Sequence, residues 1–404
     1  MTGRFILAPS PFSLPKPVAR SRLMSHKERY LTAVRREVPD LVPVDASFMD
    51  MIHVERITGK KTYATGGGGG GGGIALRPEE AGLDLNEMML RNQRLLNEAM
   101  KKVGFDSLVV SDYWLYPQGF KLKFIDSNTY IDQWGKIYRI RADVRITYWV
   151  GGTIKSEEDL DRYEPPSPDE ISYEIVDETV REAGDEYPVI GWCHCGEMFP
   201  YLLRGGIDQL VLDIYRRPEF AKKLIKTISE TNIEIAKRVM DRGVDIIVDS
   251  DDVADSHGTF YPPKVFREFF FPYTKKLIDE CHRRGIPFMR HSDGNLYPIM
   301  DDLVALGIDG LHPIEPGAMD LADVKKRYGD RIFLRGNVDC GQILSFGTTD
   351  DVRRDVRRCI DAAADGGGFI LADSNSLHSN VKTENIFAMV DEARKYGRYP
   401  LLKR

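Results

Sequence analysis

Residues 286–293, IPFMRHSD, pass from apolar to polar within eight positions. Ile286 to Met289 read as a strand buried on both faces, and the run ends abruptly on Arg290, His291, Ser292 and Asp293. Seven further stretches repeat the design: LVPVDA (41–46), SLVVSD (107–112), YPVIGWCHC (187–195), VDIIVDSDD (244–252), IDGLHPIE (308–315), RIFLRGNVD (331–339) and GFILADSN (368–375). Continuous apolar runs of this length suit strands of a parallel sheet covered on both sides. Between them lie amphipathic patterns. Residues 218–243 place Phe220, Leu224, Ile228 and Ile235 at helical spacing and stop at Gly243. Residues 262–285 repeat the pattern up to Gly285, with Pro272 expected to kink or break the helix. Eight βα units predict an α/β chain folded as a (β/α)8 TIM barrel, with its chemistry at the C-terminal strand ends.

The chain has 404 residues, enough for one large barrel with additions. Residues 1–40 read as an N-terminal arm and a first helix, and 41–404 as a single barrel domain. One segment breaks the alternation. Residues 119–152 look like short antiparallel strands, a small β excursion between barrel strands 2 and 3, and 153–186 continue it with charged helical segments. Gly66–Gly73 are eight consecutive glycines, which read as a very flexible loop over the barrel mouth or as filler for other residues. They do not make a phosphate-binding loop, because no Lys-Ser/Thr follows them.

Lys plus Arg total 56 against 62 acids, a net charge of −6 with no basic stripe, which argues against a nucleic-acid partner. No apolar run is long enough to span a membrane, and the start lacks the apolar stretch of a secretory signal. Five scattered cysteines point to a reducing, cytoplasmic compartment rather than a disulfide framework. The proline-bearing arm suggests contact with a neighbouring subunit, hence a homodimer.

The strand ends gather the ionisable groups. His291 and Asp293, two apart, would share one face, a spacing that suits a divalent metal, a histidine oriented by a carboxylate, or a structural hydrogen bond. Asp249, Asp251 and Asp252 place three carboxylates in four residues, more than a helix cap needs, so a catalytic role is expected along with a counter-charge. His312 and Glu315 sit in a loop stiffened by two prolines, and Asn337 and Asp339 end their strand with an amide and a carboxylate. Cys193-His194-Cys195 could supply soft ligands or a reactive thiol, or place two small buried residues at a tight strand end; the buried reading is favoured for Cys193, and His194 stays open as a substrate contact. Asp112 and Asn375 also lie at strand ends, and His378 carries the weakest signal. Trp114, Tyr116, Trp134 and Tyr148 offer a flat pocket for a ring, with core packing as the competing reading.

At DSDD (249–252), PPKVFREFFFPYTKKLID (262–279), HSDGN (291–295), 314–339 and 366–400, the sequence resembles the uroporphyrinogen decarboxylase superfamily, specifically its cobalamin-dependent methyltransferase branch. The resemblance is strong over residues 180–400 and loose before them, and it implies the same barrel fold. Decarboxylases of this kind carry an arginine-rich motif near the start that grips the substrate's carboxylates. That motif is missing here, and only Arg290 and Arg335 adjoin strand ends. Thiol-acting methyltransferases of the branch are similar in a zinc pattern of His-x-Cys plus a later Cys. Here His291 matches the first ligand, but Asp293 stands at the second position and Ser374 or Asn375 at the third.

The resemblance thus implies a methyltransferase working with a corrinoid (cobalamin) carried by a separate corrinoid-binding protein. A hard site of His291 and Asp293, with Asp249 or Glu315 nearby, could hold Zn2+ and assist loss of a methyl group from a small methylated donor, such as a methoxylated aromatic in O-demethylation. A protonated acid from the cluster is the alternative helper. Arg290, His312 and Asn375 are candidate substrate contacts. Two other readings stay open: a decarboxylase of a tetrapyrrole or polycarboxylate, and a non-catalytic barrel that docks a corrinoid protein or stores a ligand.

Overall fold

Seven of the eight predicted strands are present and lie side by side. The structure, a computed structural model, describes residues 23–63, 74, 82–141 and 146–401. The proline-bearing arm up to residue 22 and Gly66–Gly73 lie outside the described residues. In chain order the strands are β1 (Leu108–Ser111), β2 (Lys123–Phe124), β3 (Thr129–Ile131), β4 (Lys136–Arg141), β5 (Ile146–Gly152), β6 (Val189–Cys193) and β7 (Ile246–Asp249). They continue with β8 (Ala254–Asp255), β9 (Gly258–Thr259), β10 (Phe288–His291), β11 (Gly310–His312), β12 (Phe333–Val338) and β13 (Phe369–Asp373). The order β1-β6-β7-β10-β11-β12-β13 is parallel throughout, and every residue of these seven strands is buried. Helices on the outer side account for that burial, as the unbroken apolar runs require.

The remaining predicted strand, 41–46, is not a continuous strand. Val44 makes one isolated parallel bridge to Leu371. Leu371 N–H donates to Pro43 O (2.9 Å), Asp45 N–H to Leu371 O (3.0 Å) and Asp106 N–H to Val44 O (2.7 Å). The segment therefore lies beside β13 and reaches the residues leading into β1. Pro43 has no N–H to donate, which interrupts the ladder there.

The helices follow the sequence closely. Pro218–Met240 buries Phe220, Leu224, Ile228 and Ile235, and Gly243 follows with φ +93°. Pro272 does interrupt its segment: a π turn at Phe266–Phe270 precedes the helix Phe271–Arg283, where the proline sits in the first turn and needs no N–H. The helix His26–Val34 opens with a reciprocal cap between Ser25 and Glu28 and buries Tyr30 in the core. Among the described residues no helix is long and apolar enough to cross a membrane.

The β excursion forms a four-stranded antiparallel sheet, β2-β3-β4-β5, inserted between β1 and β6. Inward and outward positions alternate along β4, and Lys136 occupies an inward one beside Tyr138. The sheet docks on the helix Phe199–Arg204, which follows β6. Trp149 Nε1–H donates to Leu202 O (3.2 Å), and a Cβ added at Gly152 would lie 2.2 Å from Leu203 O. That contact brings Lys136 to the ends of β1 and β6.

Candidate active site

The neighbouring ends of β7 and β10 carry the centre of the site. Arg290 registers with Asp249 across the two strands, and its side chain is fully buried. One guanidinium nitrogen pairs with Asp249; the other donates to Glu197 (2.6 Å) and to Asp251 O (2.9 Å). Arg290 is thus the counter-charge the acidic cluster requires. Burial still pushes the Asp249 and Glu197 carboxyls upward, against the pull of Arg290.

Asp251 serves the backbone. Its Oδ2 accepts from the N–H groups of Cys195 (3.0 Å), Gly196 (2.7 Å) and Glu197 (2.7 Å), fixing the turn after β6. Only glycine fits in that turn: Gly196 has φ +103°, and a Cβ there would come within 2.8 Å of the Ser229 Cα. Asp251 Oδ1 is left buried without a partner among the described residues.

Alternation sends His291 to the opposite side from Arg290. There Asp252, His291 and Asp293 bring one donor atom each within 4.8 Å of one another. His291 Nε2 lies 3.5 Å from Asp252 Oδ1, close to the separation of about 3.4 Å that two ligands on one tetrahedral zinc ion would have. Asp293 Oδ2 accepts from Asn375, while its Oδ1 is buried with no partner among the described residues. Two carboxylates and an imidazole form a hard donor set, and that orphaned oxygen fits a ligand role. Burial, with Arg290 and Arg335 nearby, pushes His291 down to about 3, so its ring is neutral and carries a free lone pair at neutral pH. Burial and the charges of Asp252 and Glu315 push Asp293 well up. Gly294 (φ +87°) turns the chain tightly after Asp293, and its N–H donates to Glu315 Oε2 (2.6 Å).

A buried polar chain supports His291 from behind. Its Nδ1 is 2.7 Å from His312 Nδ1, and His312 Nε2 is 3.0 Å from Ser47 Oγ. Arg335 donates to that Oγ (2.9 Å) and to Asp45 (2.9 Å), which also accepts from Tyr30 (2.7 Å) and Ser107 (3.1 Å). The Trp192 ring packs edge-on against both imidazoles, at 5.3 and 5.6 Å. Asp373 accepts from Ser47 N–H (3.2 Å), and burial raises its carboxyl to about 6. The folded protein therefore holds that proton up to about pH 6, whereas the unfolded chain releases it near about pH 4. Stability contributed at Asp373 is present below pH 4 and lost as pH rises towards 6. Asp373→Asn should flatten that slope in urea titrations run between these limits, and an unaltered slope would refute the assignment.

A second cluster lies at the ends of β1 and β6. Asp112 accepts from His194 N–H (2.8 Å) and from its Nδ1 (2.8 and 3.0 Å). The imidazole is fully buried between Tyr113 and Phe199, at 4.3 and 4.5 Å between ring centroids. Lys136 Nζ stands 3.8 Å over the Phe199 ring and 3.4 Å from Asp132, and burial lowers its ammonium.

Several sequence candidates do not join these clusters. Asn337 donates to Ile314 O (2.7 Å) and accepts from Arg358 (3.1 Å), so it fixes a loop. Asp339 accepts from Gln342 N–H (2.8 Å), starting the next turn. Glu315 and Asp249, considered as extra metal ligands, are engaged by Gly294 and Arg290 instead. Tyr116 is buried against Phe120 and Trp134 against Phe199, so both are core residues. Tyr148 is exposed on the antiparallel sheet, Trp114 is half-buried on the turn after β1, and His378 Nε2 lies 3.5 Å from Ser345 Oγ. Cys193 and Cys195 are buried, with thiols pushed well up by burial. Sequence reading missed Ser47, Glu197 and Asp373. Ser47 and Asp373 directly follow or end apolar runs, which was a usable signal; Glu197 gave none.

A family model described as uroporphyrinogen decarboxylase (URO-D) matches residues 148–396. The chain belongs to the URO-D family. This URO-D family member is an enzyme of the superfamily. It is 23% identical over 259 residues to uroporphyrinogen decarboxylase of Aliivibrio salmonicida (strain LFI1238), covering 61% of this chain and 70% of that one. To the Aeromonas salmonicida (strain A449) uroporphyrinogen decarboxylase it is 24% identical over 268 residues, covering 61% and 71%. A solved methyltransferase from Methanosarcina mazei superposes with TM-score 0.66 at 18% identity, over 92% of this chain and 99% of that one. This last likeness is one of fold.

Proposed function

We propose that this URO-D family member is a corrinoid-dependent methyltransferase. It takes a methyl group from a small methylated donor, a methoxylated aromatic ether, and passes it to the cobalt of a corrinoid carried by a partner protein. The observation that carries the reading is the distribution of charge at the strand ends. Arg290 and Arg335 are both fully buried and tied to carboxylates, so neither can grip a polycarboxylate porphyrinogen. The mouth presents Asp252, His291 and Asp293 instead.

Those three residues would hold a zinc ion, which supplies Lewis-acid polarisation of the ether oxygen when bound. His291 offers its neutral ring nitrogen, and His312 holds the ring from the far side. Asn375 steadies Asp293 by donating to one oxygen and leaving the other for the ion. Trp114, half-buried at the end of β1, offers a ring face for an aromatic donor. The same reading treats 41–46 as the eighth stave of a closed (β/α)8 barrel spanning 41–404, with the segment about 119–152 as its insertion, and the working form as a homodimer.

The test is direct. Zinc-loaded protein, cob(I)alamin and a panel of methoxylated aromatics should yield methylated cobalamin and free phenol. Release of CO2 from uroporphyrinogen, with no demethylation of any ether, would replace this reading by the decarboxylase one.

A further inference from the structure

We propose that His194, oriented by Asp112, is the acid that protonates the departing oxygen in that methyl transfer; the inference rests on the ether reading above. The imidazole is fully buried and fixed by its neighbours. Asp112 accepts from both its backbone N–H (2.8 Å) and its Nδ1 (2.8 Å). Tyr113 and Phe199 flank the ring, so it cannot swing away. Its Nε2 is buried and has no hydrogen-bond partner among the described residues. A satisfied structural histidine would use both nitrogens, as His53 does with Thr383 and His378 O. A buried nitrogen left unsatisfied is costly, so the position calls for a group to complete it.

His194 directly follows β6, while Asp252 and Asp293 follow β7 and β10 and His291 ends β10, so the imidazole and the metal triad stand at the same ends of three neighbouring parallel strands. Charged groups near this region include Lys136 over Phe199 with Asp132 beside it, and Asp251 on the turn after β6, whose Oδ1 is also orphaned among the described residues. Asp249 and Glu197, the other acids nearby, are engaged with Arg290 and cannot deliver a proton without losing that partner.

The step balances as follows. The methyl carbon–oxygen bond breaks, and its electron pair stays on the oxygen. The carbon takes a new pair from the cobalt of the acceptor. In the imidazolium form of His194, the Nε2 proton passes to the oxygen, leaving a neutral ring and a free alcohol or phenol. Asp112 keeps its charge and holds the Nδ1 proton throughout, and solvent restores the Nε2 proton before the next turnover.

The test uses His194→Gln and Asp112→Asn in the zinc-loaded enzyme, with methoxybenzenes whose phenols differ in acidity. Both variants should keep their zinc. Transfer from unsubstituted methoxybenzene should fall on the order of 100-fold, because its phenoxide needs the proton. Transfer from nitro-substituted methoxybenzene should fall less than about threefold, because nitrophenoxide leaves unaided. A merely structural role would lower every member of the series alike. If His194→Gln does not fold, Asp112→Asn keeps the side-chain volume and carries the same comparison. Uniform loss, or no loss, in variants of an active wild type overturns the dyad alone. A wild type that demethylates no ether overturns the ether reading and this role together.

Discussion

Replacing Arg290 with Met should cost about 3–5 kcal/mol of stability, because it leaves two buried carboxylates without the cation that pairs with both. Asp249 and Glu197 each lose a charge-assisted hydrogen bond, and neither can turn to water. Their carboxyls stand above the ordinary range even with the arginine in place. Without it they would retain protons to still higher pH in the folded state. For an acid whose folded value is raised, stability is greatest when both states are protonated and declines as pH rises through the window between the two values. The deficit against wild type should therefore be smaller at pH 5 than at pH 8 in urea denaturation. Glu197→Gln in the Arg290→Met background should recover part of it. A single variant within about 1 kcal/mol of wild type at both pH values would show that the cluster is not held by this pair.

His291→Ala should separate stability from function. The ring is neutral, so its removal strands no charge, and the fold should survive with a modest loss from the small cavity. Zinc should fall from about one per chain to background by elemental analysis, since two carboxylates alone hold the ion poorly. Methyl transfer should drop by at least about 100-fold. His312→Asn, one hydrogen bond further back, should weaken zinc by a smaller factor, about tenfold, by disturbing the orientation of His291. Retention of zinc in His291→Ala would remove the triad from the mechanism.

The sheet was legible in the sequence because burial on both faces forces unbroken apolar runs, and all seven parallel strands fall inside those runs. Segment 41–46 has the same composition, yet its proline withholds a donor at the point where a ladder would form. The concentration of acids at the strand ends was equally visible, as was the demand for a counter-charge. Which acid answers which base was not. Arg290 meets Glu197 across 93 residues and Asp249 across 41, and no local pattern encodes such pairings. The same holds for Tyr116 and Trp134, since a ring in a core and a ring in a pocket are the same letter.

The chain of contacts behind His291 also has a consequence in time. Ser47 meets His312 across 265 residues, Asp45 meets Arg335 across 290, and Ser47 N–H meets Asp373 across 326. During synthesis the early segment must wait for nearly the whole chain before its polar groups find partners. Contacts so distant in sequence form late, because the loop they close is long. A nascent chain that stops before β13 would carry Asp45 and Ser47 without Asp373, whatever its other strands had achieved. The candidate site is thus assembled only when the segment around Ser47 meets the end of β13.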